Sequence, residues 1–119
     1  FYKEPLSVRP KLELSQRLDC DVIFLTAKRD FVYDRINKRV EDMVANGFID
    51  EVDALLKKGY SPSSQSFQAL GYREVSQYLS GSLTKDEMVT LIQKKTRHFA
   101  KRQYTWFNQF TNVKTIEVV

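Results

Sequence analysis

The 119-residue chain has one cysteine, four glycines and three prolines. A single thiol, Cys20, can neither close an internal disulfide nor furnish a cysteine-based zinc site, so nothing points to an oxidising compartment. Cys20 reads as a small buried apolar residue ahead of a strand. Long hydrophobic runs are missing too. None approaches the roughly 18 residues that span a bilayer, and the N-terminus lacks the basic-then-apolar order of a signal peptide. A cytoplasmic protein is therefore expected, with no membrane partner. The first residue is Phe rather than Met, and further residues upstream of it are expected. Acidic residues are absent from one stretch altogether. From Thr90 to Asn112 there is no Asp or Glu, while Lys94, Lys95, Arg97, Lys101 and Arg102 all fall there.

What is present is ordinary for a globular domain: 42% hydrophobic and 13% aromatic residues on a length that supports one core. The net charge of +4 is modest, so its concentration late in the chain says more than its total about an anionic partner.

Residues 1–18, with Pro5 and Pro10, show no sustained period and read as a connecting segment with one short helical turn. Residues 21–27, DVIFLTA, have the composition of a short buried strand. From Asp30 the period turns helical, with Val32, Ile36, Val40, Met43 and Val44 on one face and Asn46–Gly47 as the stop. A second helix places Phe48, Ile49, Val52, Leu55 and Leu56 on its apolar face and ends at Gly59. The SPSSQS stretch at 61–66 is a loop, and a short helix around GYREVSQYL closes at Gly81. Thr84 and Glu87 have the spacing of a capping box, which predicts a long helix running to Asn112. Its apolar face is read as Met88, Leu91, Ile92, Phe99, Trp106 and Phe110, interrupted by Thr96 and Gln103, with Trp106 in the core. VKTIEVV, residues 113–119, reads as a second strand. Two strands do not make an independently stable sheet, so both are expected to belong to a larger one.

Within that long helix, TRHFAKRQYTWF at 96–107 interleaves cations with aromatics. Arg97 and Lys101 are neighbours one turn apart, a like-charge pair with no acid nearby in sequence. Phosphates would neutralise the cations, and an amide such as Gln103 can read a base edge by paired hydrogen bonds. Aromatic faces nearby could stack an unpaired base. The same pattern also fits a packed helix with a solvated basic face.

TRHFAKRQYTWF resembles the C-terminal signature of bacterial tRNA dimethylallyltransferases. RINKRVEDMVANGFIDEV at 35–52, ALGYRE at 69–74 and YLSGSLTKDEM at 78–88 agree with that family in order and spacing, and PLS at 5–7 looks like part of its GKPLS segment. The resemblance implies an α/β fold, of which this chain is a mostly helical fragment whose two short strands belong to a larger P-loop-type parallel sheet. It divides the chain into a connecting segment at 1–18 and the C-terminal part of the transferase core at 19–119. It further implies transfer of a dimethylallyl group from dimethylallyl diphosphate to N6 of adenosine 37 in tRNA, with a tRNA anticodon stem-loop as partner. The family's phosphate-binding loop and its presumed catalytic Asp lie near the N-terminus of the full protein, and no G-x-x-x-x-G-K-[ST] pattern occurs here. The missing N-terminal P-loop part is therefore an expected partner. It carries the Mg²⁺ site of the full enzyme, and this chain is expected to be inactive alone.

By the same resemblance Arg39 is the catalytic candidate, an arginine on the diphosphate side of the channel. A fixed cation there stabilises the charge that builds on the leaving diphosphate. Its alternative is a surface arginine pairing with Asp42, and Arg35 and Lys38 read as solvated, Lys38 between Asp34 and Asp42. The matched tRNA-contacting segments comprise Gln68, Ala69, Leu70, Gly71, Tyr72 and Arg73, then Lys101, Arg102, Gln103, Tyr104, Thr105 and Trp106. Glycine would allow close approach of RNA, and Arg73, Lys101 and Arg102 would hold phosphates. Asn108 stands where many relatives carry a basic residue. His98 reads as surface. The residues alone leave open a stand-alone RNA-binding helical module and a purely structural helical domain.

Overall fold

The computed structural model describes residues 22–109 and 113–118. The expected connecting segment at 1–18, Cys20, Phe110 and Asn112 lie outside them. The elements run β1 (Val22–Thr26), α1 (Arg29–Ala45), α2 (Phe48–Lys57), a 3-10 turn at Gln65–Gln68, α3 (Tyr72–Leu79), α4 (Lys85–Phe107) and β2 (Val113–Glu117).

Local chemistry places the boundaries. α1 stops at Asn46, and Gly47 turns the chain at φ +96° straight into α2, a left-handed conformation that costs residues with a Cβ about 1–2 kcal/mol. At α4 the capping box forms as its spacing indicates: Glu87 N–H donates to Thr84 Oγ1 at 3.3 Å and Thr84 N–H to Glu87 Oε2 at 2.8 Å. Those two bonds, with acidic Asp86 and Glu87 in the first turn, settle the positive end of a 23-residue helix.

The core gathers Val40 of α1, Phe48 and Val52 of α2, Phe67 of the 3-10 turn, Val75 of α3, and Met88 and Ile92 of α4. Val52, Val75 and Met88 have no exposed surface at all. α4 is the element against which both α1 and α3 pack. β1 and β2 pair in parallel, Val22 opposite Val113 through Thr26 opposite Glu117. On β1, Phe24 stacks on Phe107 at 4.6 Å between ring centroids and meets Tyr104 edge-on at 5.7 Å. Ile23 and Leu25, on the other face of the strand, are 56% and 61% exposed.

α4 departs from the sequence reading in two respects. It ends at Phe107, with Asn108 as its C-cap, rather than at Asn112. Its inward line runs through Met88, Ile92, Thr96, Ala100, Tyr104 and Phe107, whereas Phe99 and Trp106, expected in the apolar face, are 50% and 55% exposed. The reason is length. A helix of 23 residues is about 35 Å long. α1 and α3 cover its N-terminal half, and its last turns meet the narrow strand β1.

Candidate nucleic-acid interface

The C-terminal half of α4 exposes Lys101, Arg102, Gln103, Thr105 and Trp106. The Arg102 guanidinium lies over the half-exposed Phe99 ring, 5.6 Å from its centroid, within cation–π distance. Thr105 Oγ1 donates to the Lys101 carbonyl at 3.2 Å within the helix. Trp106 meets Phe107 edge-on at 5.0 Å between centroids and remains more than half exposed. Gln103 is exposed rather than buried, so its amide has no unmet internal demand.

Three residues of the same helix are committed inward. Tyr104 is half-buried and donates its hydroxyl to the Ala27 carbonyl at 2.9 Å, which ties α4 to the end of β1. Arg97 donates to Asn37 Oδ1 at 2.5 Å, across to α1, and so leaves the basic strip that the sequence pattern grouped it with. Lys95 reaches Glu74 of α3 at 2.5 Å. His98 is exposed.

The 68–73 segment sits at the start of α3. Gln68, Ala69, Leu70 and Arg73 are exposed, while Gly71 is buried. Gly71 has φ +97°, and a Cβ there would meet Phe48 Cε1 and Cζ at 3.0 Å. The close approach that requires glycine is to a protein ring. Tyr72 is likewise anchored: its ring meets Phe48 and Phe67 edge-on at 5.3 and 6.1 Å, and its hydroxyl donates to Glu51 Oε1 at 2.5 Å. That bond, first, and then burial, push the Tyr72 phenol above its ordinary range.

The Glu74–Lys95 pair was not legible in the sequence. Glu74 is 2% exposed, and its two carboxylate oxygens take Lys95 Nζ and the Gly71 N–H, the latter at 2.9 Å. Burial alone would raise the carboxyl, but the Lys95 bond and backbone N–H donors outweigh it and hold Glu74 below the ordinary carboxylate range. The available signal was a Gly-x-x-Glu spacing, half of a capping box; its second partner lies 21 residues on.

On α1, Arg35, Lys38, Arg39 and Asp42 line a groove of about 890 Å³ together with Val32, Ile36 and Met43. Among the described residues the ion pairs are Lys57–Asp53 and Lys95–Glu74, so Arg39 is not paired with Asp42, nor Lys38 with Asp34 or Asp42. Arg35 instead lies 5.7 Å over the Phe31 ring. Among the described residues no three of His, Cys, Asp and Glu come together as a metal site, and no helix is long and apolar enough to cross a membrane.

The IPP transferase family model matches residues 2–110. The chain belongs to the IPP transferase family. It is 46% identical over 99 residues to tRNA dimethylallyltransferase 2 of Geotalea uraniireducens, which covers 83% of this chain and 32% of that protein. It is 52% identical over 85 residues to the tRNA dimethylallyltransferase of Desulfitobacterium hafniense strain DCB-2, covering 71% and 27%. Among solved structures, it matches the full-length tRNA isopentenylpyrophosphate transferase of Bacillus halodurans with a TM-score of 0.77 at 43% identity, over 82% of this chain and 32% of that one. The Staphylococcus epidermidis tRNA delta(2)-isopentenylpyrophosphate transferase gives 0.80 at 35%, over 87% and 34%. This IPP transferase chain thus spans about a third of the length of the relatives it matches. Its fold is the α/β arrangement of that family, mostly helical with two short parallel strands.

Proposed function

We propose that this chain acts as the C-terminal part of a tRNA dimethylallyltransferase, residues 19–119 contributing to its core. The full enzyme moves a dimethylallyl group from dimethylallyl diphosphate to N6 of adenosine 37 in tRNA, in the cytoplasm. Membership of the IPP transferase family supports that reaction class. The observation that carries this chain's share of it is the outer face of α4, where Lys101, Arg102, Gln103, Thr105 and Trp106 stand exposed beside an open Phe99 ring in a stretch without acids. Cations on such a face hold phosphates, and flat apolar rings and guanidinium planes accept unpaired bases, as in an anticodon loop.

In the reaction, N6 forms a bond to the allylic carbon as the carbon–oxygen bond to diphosphate breaks, and the N6 proton passes to a base supplied from outside the described residues. Negative charge accumulates on the departing diphosphate. Arg39, exposed in the α1 groove and unpaired with Asp42, is the cation assigned to that charge, and its attraction grows toward the transition state. The described residues hold no carboxylate cluster fit for Mg²⁺, and a metal that neutralises the diphosphate would be held by the P-loop part. Exposed Ile23 and Leu25 on the open face of β1 support a larger parallel sheet completed by that part.

The test is label transfer by the full-length protein from labelled dimethylallyl diphosphate to an anticodon stem-loop with adenines at 36 and 37. Transfer to adenosine 37 is expected. A folded protein that binds the stem-loop in a salt-sensitive way yet transfers nothing would leave an RNA-binding module without catalysis.

A further inference from the structure

Helices α3 and α4 each begin with a glutamate three residues in that accepts the N-cap N–H, and they place it differently. At α4 the capping carboxylate, Glu87, is exposed and bonds only locally, to Thr84. That suffices to cap a helix. At α3 the equivalent carboxylate, Glu74, is 2% exposed, and only one of its oxygens serves the cap, accepting the Gly71 N–H at 2.9 Å. The other crosses to α4 and accepts from Lys95 Nζ at 2.5 Å. Burying a carboxylate is costly unless it is paired, and an exposed glutamate would have capped α3 without that cost.

The consequence of the buried arrangement is positional. Gly71 is fixed from one side by the Phe48 ring, 3.0 Å from where a Cβ would stand, and from the other by Glu74. Around this pinned glycine the exposed residues Gln68, Ala69, Leu70 and Arg73 emerge. Through Lys95 the same carboxylate is attached to the helix that, two turns further on, exposes Lys101 and Arg102. One side chain therefore ties the two surface segments together.

We propose that Glu74 is a positioning residue for RNA: by holding Gly71 and Lys95 at once, it sets the 68–73 segment in register with the basic strip of α4, so that both engage one RNA backbone. The assignment rests on the proposed function, since it presumes that these two segments bind RNA.

The experiment measures binding of a fluorescent anticodon stem-loop by anisotropy, with the full-length protein at a temperature where circular dichroism reports every variant folded. Glu74→Gln keeps an acceptor for the Gly71 N–H and loses the charge that holds Lys95. It is expected to raise the Kd about tenfold, the size of a contact-level coupling, while kcat at saturating RNA stays within about twofold. Lys95→Met should behave alike and Lys95→Arg should restore binding. Lys95 is half-exposed, so its variants carry the test if Glu74→Gln does not fold. A double-mutant cycle separates positioning from general loosening. Combined with Arg73→Ala, Glu74→Gln should add little further loss, because the contact that Glu74 positions has already been removed; combined with Lys101→Ala, whose place on α4 does not depend on Glu74, the losses should add. An unchanged Kd, or losses that add equally with both, overturns the assignment of Glu74 alone. Failure of the wild-type protein to bind the stem-loop overturns the functional reading on which it rests.

Discussion

Replacing Gly71 by alanine tests the packing account at its most constrained backbone position. Gly71 has φ +97° and ψ −45°, a combination open to glycine and strained for any residue with a Cβ, for which the backbone term is about 1–3 kcal/mol. A second cost is steric. The new methyl would sit 3.0 Å from Cε1 and Cζ of Phe48, a ring 7% exposed and held edge-on by Tyr72 at 5.3 Å. Displacing a packed aromatic to admit one methyl costs about 1–3 kcal/mol. The sum is about 2–6 kcal/mol, a large part of a domain's total stability. Gly59→Ala supplies the control: φ is +89° there, and nothing lies within 4 Å of the added Cβ, so only the backbone cost remains. In equilibrium urea unfolding, Gly71→Ala should therefore lose at least about 1 kcal/mol more than Gly59→Ala. Equal losses would refute the steric argument and show that the Phe48 ring yields freely.

Tyr72→Phe removes a hydroxyl engaged with Glu51 and not offered to a ligand, so stability should fall by about 1 kcal/mol while stem-loop affinity changes less than about twofold, read by urea unfolding and anisotropy. Glu74 is held below the ordinary carboxylate range in the folded state, so its ionised form contributes stability that is full above the unfolded value near pH 4.3 and is lost as pH falls through the folded value. The stability gap between wild type and Glu74→Gln should accordingly narrow as pH falls below the unfolded value and through the lowered folded one, and a gap independent of pH would contradict the pair. Thr84→Ala should cost about 1 kcal/mol through loss of the α4 cap, measured by thermal unfolding. Lys101→Ala with Arg102→Ala should weaken stem-loop binding and make the slope of log Kd against log salt shallower by about 1.5–2.

The helices could be read from the sequence because their periods and their stops are both local. Asn46–Gly47, Gly59, Gly81 and Thr84–Glu87 bound α1 to α4 within a few residues of the observed ends. The strands were legible as composition, and their parallel pairing follows from the long helical crossover between them. What stayed hidden depends on distance along the chain. Glu74 finds Lys95 across 21 residues, Tyr72 finds Glu51 across 21, and Arg97 finds Asn37 across 60, and no periodicity encodes such pairings. The same blindness explains the misplaced face of α4. Periodicity fixes the angle between Phe99 and Met88 around the helix but not which side a neighbour covers, and beyond Lys95 the cover changes from helices to a strand. Of the candidate site, Lys101, Arg102, Gln103 and Arg73 are displayed on the surface, whereas Gly71, Tyr72 and Tyr104 are held by packing and hydrogen bonds.

Steady-state transfer kinetics of the full-length protein separate the part played by α1 from that played by α4. Arg39→Ala is expected to lower kcat by about 10²-fold or more at saturating stem-loop with little change in KM for RNA, as for loss of a charge-stabilising group. Lys101→Ala with Arg102→Ala should raise that KM and leave kcat recoverable at high RNA. The reverse assignment, with Arg39→Ala cured by excess RNA or the α4 pair abolishing turnover at saturation, would contradict the account.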